Sequence, residues 1–471
     1  MIRAPKVVTG VVVFGSLLCL GAPARADVTL VAPTDGPLGG WEVYTTGRVG
    51  AFVEVLRGDP IPQAYGTDPI TGAPIQIHAV GDGGIRPGPT DPVLSPDGGS
   101  GQGSLGASRV RSGFLPNILA FGLRRQVTPW TRLETFFSIW AATETINRRT
   151  FHANNPDVRE AYARIEGPAG SLLVGRALSL FSRGGVEIDF LYGHGFAVGN
   201  PAGFDEQGPT AGHIGYGIVA PVFVAGIVYA TPKFHGLQLT AGYYDPATTV
   251  GIYWGRTKYG RPEAEIAYDF ASGIFKLHMF ASGAWQKVYS LNLATDAAGN
   301  NLNIQPEADV VGGAGGARVE IGRLHFGVAG HGGHGLGVGY FLDGSDANFA
   351  KDTTHELRTF TGLYAQAQVV VSKFDFNAGW GVTRIQALDA DTNPNWCNGA
   401  TSPCAGFSTV TGVPLPSSSI LKSQMGWSGV VVYHMMPNVH IAADYFLSQV
   451  EWQQGEKQVV HSYNLGTTVN W

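Results

Sequence analysis

Val459-Val460-His461-Ser462-Tyr463-Asn464-Leu465-Gly466-Thr467-Thr468-Val469-Asn470-Trp471 closes the chain with an unbroken alternation. Val459, His461, Tyr463, Leu465, Thr467, Val469 and Trp471 share one face of an extended segment. Val460, Ser462, Asn464, Gly466, Thr468 and Asn470 share the other, because successive side chains of a strand point to opposite sides. One face is apolar and aromatic, and the other is small and polar. A strand of this kind suits a wall between lipid and water.

Working back from the end, the same pattern recurs. Strands are expected at 41–55, 107–123, 129–142, 158–167, 171–179, 213–231, 237–245, 262–270, 274–289, 309–321, 323–340, 355–371, 374–387, 420–434, 438–452 and 458–471. Short turns such as Pro168-Ala169-Gly170 and Ala271-Ser272-Gly273 join them on one side, and long segments such as 57–106 and 180–212 join them on the other. The alternation persists from strand to strand: Phe374, Phe376, Ala378, Trp380 and Val382 oppose Asp375, Asn377 and Thr383, and Val439, Ile441, Ala443, Tyr445 and Leu447 oppose His440, Asp444 and Ser448. An even number of strands with short turns and long loops predicts an all-β, transmembrane antiparallel β-barrel of about 16 strands. The polar faces then line the lumen, and a ring of this size leaves an aqueous channel rather than a side-chain core.

The front of the chain indicates the route. Arg3 and Lys6 precede a mostly apolar run from Val7 to Leu20, and Ala24-Arg25-Ala26 has the small-x-small form of a cleavage site. Residues 1–26 read as a signal peptide cut before Asp27, leaving 27–471 as the barrel. Loss of Arg3, Lys6 and Arg25 leaves 28 basic against 36 acidic side chains, a formal balance of −8. That balance argues against nucleic acid as a partner, since phosphate binding wants a basic surface. Cys397 and Cys404 then remain as a local pair, expected to form a loop disulfide in an oxidising compartment. The 67 glycines, 24 Phe, 17 Tyr and 10 Trp, with only 14% charged residues, agree with a β-rich wall. After the leader no stretch approaches the ~20 apolar residues of a membrane helix. Closure into a barrel is the other way to satisfy every backbone group in lipid.

Three further stretches carry a resemblance. Arg159-Glu160-Ala161-Tyr162-Ala163-Arg164-Ile165-Glu166-Gly167 followed by Gly170-Ser171-Leu172-Leu173-Val174-Gly175-Arg176 resembles the hairpin that precedes the pore loop in the general bacterial (Gram-negative) outer-membrane porins. Tyr229-Ala230-Thr231-Pro232-Lys233-Phe234-His235-Gly236-Leu237 and the segment from Tyr433 to Tyr445 resemble two later hairpins of that family. The C-terminal aromatic strand, with Tyr463, Leu465, Val469 and Trp471, resembles the assembly signal of outer-membrane barrels. The resemblance implies a homotrimer in outer-membrane lipid, inserted by the barrel-assembly machinery. It also implies a third long loop folded into the bore as a constriction, here about 181–212.

Carried onto this chain, the acids of that loop are Glu187, Asp189, Asp205 and Glu206, and the facing arginines are Arg109, Arg111, Arg164 and Arg176. Acids on one side and arginines on the other create a transverse field that orients solutes and biases ions. His213 stands near a place where the family often has an arginine, and Leu172 and Val174 share the parity of Arg176.

Other chemistry is thin. His325, His331 and His334 lack a carboxylate at matching spacing for a metal site, and Gly312-Gly313-Ala314-Gly315-Gly316 is followed by no helix that could capture phosphate. No catalytic set, cofactor or metal is expected. The sequence predicts a passive channel for ions and small hydrophilic solutes. A substrate-selective channel, for example for sugars, is the first alternative; a barrel enzyme or an adhesin comes after it.

Overall fold

The computed structural model describes residues 27–33, 39–59, 63–67, 74–79, 105–111, 117–141, 157–190, 213–246, 254–255, 259–290, 307–342, 357–388, 421–453 and 455–471. Residues 1–26, expected to be a leader, and Asp205, Glu206, Cys397 and Cys404 lie outside the described residues.

The elements in chain order are β1 (Val28–Val31), β2 (Glu42–Gly58), β3 (Gln63–Thr67), β4 (Pro74–Ala79), β5 (Leu105–Arg111), β6 (Asn117–Thr128), β7 (Thr131–Ala141), β8 (Asp157–Gly167) and β9 (Gly170–Leu178). A short helix α1 (Arg183–Glu187) follows, then β10 (Phe223–Ala230), β11 (Leu237–Tyr244), β12 (Trp254–Gly255), β13 (Arg261–Ser272), β14 (Phe275–Ser290) and β15 (Glu307–Ile321). The last six are β16 (Leu324–His334), β17 (Thr359–Val371), β18 (Phe374–Ile385), β19 (Leu421–Met436), β20 (Val439–Trp452) and β21 (Lys457–Asn470).

Neighbouring strands pair antiparallel around a ring that closes where β2 meets β21, with Arg48 opposite Asn470 and Gly58 opposite Val460. β5 and β6 together occupy one place beside β2, so the wall is a closed barrel of 16 strands. β1 extends the start of β2, β12 pairs with the end of β14, and β3 with β4 forms a separate ribbon. Among the described strands closure leaves no unpaired wall edge, which is what lets strands cross lipid.

The two faces separate as the alternation requires. Val53, Ile227, Ile266, Val328 and Trp427 are exposed on the outside, and Leu465 reaches 59% exposure. Ser462, Asn464, Thr468, Gln424, Ser448, Asn377 and Thr383 are buried on the inside. At the short-turn end Trp130, Phe234, Phe270 and Phe374 are exposed, as in an interfacial aromatic girdle. The C-terminal strand follows its predicted faces: Tyr463, Leu465 and Val469 point outward. Trp471 bonds back to the first wall strand, with Gly47 N–H donating to its carbonyl at 2.8 Å and its own N–H donating to the Gly47 carbonyl at 3.0 Å.

Two expected strands require correction. The one expected at 213–231 begins only at Phe223, because 213–222 lies inside the barrel. Ile214, Tyr216, Ile218, Val219 and Ala220 are all buried, so the stretch has no outward face, and Gly215 and Gly217 take φ of 79° and 108°. The one expected at 323–340 stops at His334, where Gly335 and Gly337 (φ 71° and 101°) turn 335–342 into the bore. Left-handed φ is open to glycine and costly to other residues, so these glycines mark where the wall ends.

Candidate channel constriction

The chain leaves the wall after β9 and rejoins it at β10, and the described parts of this stretch fill one side of the lumen. Ser179 and Val222 close its neck, with Ser179 N–H donating to the Val222 carbonyl at 2.9 Å. Its first turn is held by a wall carboxylate: Glu263 Oε2 accepts the backbone N–H groups of Leu180 and Phe181, each at 2.7 Å. Ser182 N–H donates to Ser282 Oγ at 2.9 Å. Further along, the Gln366 amide reads the inward backbone from both sides, donating to the Ile188 carbonyl at 2.8 Å and accepting from Phe190 N–H at 3.0 Å. Tyr364 O–H donates to the Gly185 carbonyl at 2.7 Å. On the returning arm Gly217 N–H donates to Thr383 Oγ1 at 2.9 Å, and the Tyr216 and Ser448 hydroxyls lie 2.7 Å apart. Each polar atom of the buried backbone needs such a partner.

The predicted site residues differ in where the structure places them. Arg164 faces the lumen but is already committed, forming a close ion pair with Glu134 and a second at 3.2 Å with Glu166. Tyr44 O–H also donates to Glu134, at 2.5 Å, and Arg132 lies 3.9 Å from it. Two guanidinium groups therefore meet two carboxylates on this wall, and the field it contributes is weaker than the arginines alone suggest. Arg109 and Arg111 stand in register with Glu54 and Phe52, which are both buried on the inward face.

Arg176 is a correction. It is exposed and alternates with Leu172 and Val174 on the outer face of β9, so it does not border the bore. Its parity is fixed by pairing with the outward Ala161 and Ala225 on both sides. Asp189 is a second correction. It is 3% exposed, and its carboxylate accepts the backbone N–H of His213 at 2.8 Å with the His213 ring Nδ1 at 3.2 Å. It ties the two arms of the inward stretch together instead of meeting solute. Asp205 and Glu206 fall outside the described residues.

Glu187 closes α1 beside Arg183, 3.6 Å away, and Arg183 forms a shorter ion pair with Glu265 of β13. Burial pushes the Glu187 carboxyl up to about 6, against the pull of Arg183. At neutral pH this trio has two carboxylates against one guanidinium. Arg318 lies 4.8 Å from the Phe190 ring and pairs with Glu320 at 2.7 Å.

Sequence reasoning missed Arg183, Glu263 and Glu265. Their signal was present: Arg183 precedes Glu187 by one helical turn, and Arg261, Glu263 and Glu265 alternate along one face at the start of a strand. The histidines serve packing. His331 Nδ1 lies 3.0 Å from the Gly217 carbonyl, His325 Nδ1 lies 2.5 Å from Gln368 Oε1, and His334 meets Thr359 at 3.0 Å. Among the described residues no three His, Cys, Asp or Glu side chains gather into a metal site.

Comparison with known proteins agrees with this geometry. The outer-membrane channel DcaP of Acinetobacter baumannii superposes with a TM-score of 0.60 at 13% identity, over 94% of this chain and 100% of its own. An anion-selective porin from Comamonas acidovorans superposes with a TM-score of 0.53 at 12% identity, over 92% of this chain and 100% of its own. At such identity these likenesses speak to the fold. No curated protein sequence matches the chain. A family model described as Gram-negative porin matches residues 95–468. With a lipid-facing wall, a polar lumen and an inward stretch narrowing it, the chain belongs to the Gram-negative porin family and is an outer-membrane channel for solute diffusion.

Proposed function

We propose that the channel is a general, passive one for ions and small hydrophilic solutes, filtered by width and charge where the stretch after β9 faces the Arg164 wall. The observation that carries this reading is the Arg183–Glu187–Glu265 trio on the inward side, opposed by the charge-balanced Arg132–Glu134–Arg164–Glu166 wall. The excess carboxylate favours cations, in line with the formal balance of −8 after loss of the leader. Arg109, Arg111, Arg164 and Glu187 are the predicted residues that remain as constriction candidates. No group in this reading depends on a cofactor.

Two further parts of the reading come from the family resemblance: assembly as a homotrimer, and export through a leader cut before Asp27. Planar-bilayer recording of the purified protein tests the channel. Steady single-channel steps linear in salt, with a reversal potential favouring K+ over Cl− in a KCl gradient, are expected. Conductance that saturates with one sugar would replace the general sieve with a selective one.

A further inference from the structure

We infer that the segment 335–342 is a second selectivity element of the channel, and that Phe341 within it keeps the charge of Arg261 out of the bore. The inference rests on the proposed filtering function and names a determinant that the third long loop does not contain.

The two inward stretches form one body. Ala220 N–H donates to the Gly339 carbonyl at 2.7 Å, Phe341 N–H donates to the Ala220 carbonyl at 3.3 Å, and Ala220 pairs in parallel with Tyr340. Leu342 N–H donates to the Leu336 carbonyl at 2.6 Å, folding the segment on itself, and Gly335 N–H anchors it to the Arg358 carbonyl at 2.9 Å. Leu336, Val338, Phe341 and Leu342 are buried together with Phe181 and Val219 of the other stretch, against wall residues that include Val288 and Val310. An apolar cluster of this kind on the inner face of a porin wall has no reason to exist unless something is held there.

The wall is shaped to receive it. A Cβ on Gly312 would lie 2.5 Å from a Leu336 methyl and 2.9 Å from the Phe181 ring. A Cβ on Gly333, opposite it in β16, would lie 2.1 Å from the Val311 carbonyl and 3.0 Å from Leu336. The glycine run that begins at Gly312 thus includes the seat of this segment, which accounts for a motif that phosphate binding did not.

Phe341 is where the segment meets charge. Its ring centroid lies 5.4 Å from that of Phe181 at 68°, and 4.7 Å from Cζ of Arg261. The Arg261 side chain is fully buried, with Nε on Glu263 Oε1 at 2.6 Å and Tyr244 on a further side. Its Nη1 and Nη2 have no hydrogen-bond partner among the described residues. Glu263 in turn spends its second oxygen on Leu180 and Phe181. One contiguous chain of contacts therefore links Phe341 through Arg261 and Glu263 to the root of the first stretch. The aromatic face stabilises the guanidinium and shields it from water and passing ions.

Reversal potentials in a KCl gradient and single-channel conductance test this on the full-length mature protein. Wild type, Phe341→Ala, Phe341→Leu, Gly312→Ala and the double variant Phe341→Ala with Arg261→Gln are compared, each checked for heat-modifiable migration as folded barrel. Phe341→Ala is expected to raise conductance about twofold and move the reversal potential toward Cl−, because width and exposed charge both set permeation. The double variant keeps the larger conductance and loses the Cl− shift; Phe341→Leu stays near wild type. Gly312→Ala evicts Leu336 from its seat and raises conductance by itself, so it decides the matter if Phe341→Ala does not assemble. Folded variants with wild-type conductance and selectivity overturn the inference while leaving the channel intact. A wild type that passes no current overturns the filtering function beneath it.

Discussion

At the scale of the residue, Glu187 shows how burial sets a working charge. Its carboxyl is raised to about 6 because it is taken out of water, with Arg183 only partly offsetting that. Above this value it is an anion and below it a neutral acid, so the cation preference of the channel is expected to fall between pH 7 and pH 5. Glu187→Gln should show the low preference throughout, with a flat pH profile of reversal potential. A wild-type profile without this inflection would remove Glu187 from the filter. Stability runs the opposite way to selectivity: the folded state holds the extra proton between the ordinary carboxyl value of 4.5 and about 6, so this group's contribution to stability falls as pH rises through that window. Arg176 teaches the converse lesson. A motif match brought it to the constriction, but its neighbours Leu172 and Val174 fixed its face, and period two overrides a family position.

At the scale of the element, the inward stretch is stable because wall side chains substitute for a missing sheet partner. Asp189 joins its outgoing and returning arms through the buried backbone N–H of His213. Asp189→Ala is expected to cost about 1–3 kcal/mol locally by leaving that donor unpaired. Faster amide exchange at 213–219, with wall strands unchanged, is the measurement, and unchanged exchange there would contradict it. The wall strands were legible in the sequence because alternation is a local, repeated signal, and most expected boundaries lie within a few residues of the observed ones. The segments 213–222 and 335–340 were misread as strand for a physical reason. Both continue a run of small and apolar residues, and nothing local shows whether an apolar residue faces lipid outside or packs inside. Only the partners, which lie more than a hundred residues away, make the distinction: Thr383 and Ser448 for the first segment, and Ala220 for the second.

At the scale of the whole molecule, the ring is sealed by contact between its two ends. A Cβ on Gly47 would lie 2.4 Å from the Ile118 carbonyl and 2.6 Å from the Trp471 ring, so the last residue packs against a backbone left bare for it. Gly47→Val is expected to weaken closure by about 1–3 kcal/mol through overpacking. The folded, heat-modifiable fraction recovered from membranes should drop, and full recovery would show that the seat is adaptable. The seam was readable from the terminal strand alone, whereas its receiving glycine carried no mark in the sequence. The anchors of the inward stretch, Glu263, Ser282, Gln366, Thr383 and Ser448, all follow it in the chain. If zippering starts from the C-terminal strand, the berth is finished before its occupant arrives. The aperture would then be established late, as the final docking event of maturation, and a barrel that stalls early would have no gauge at all.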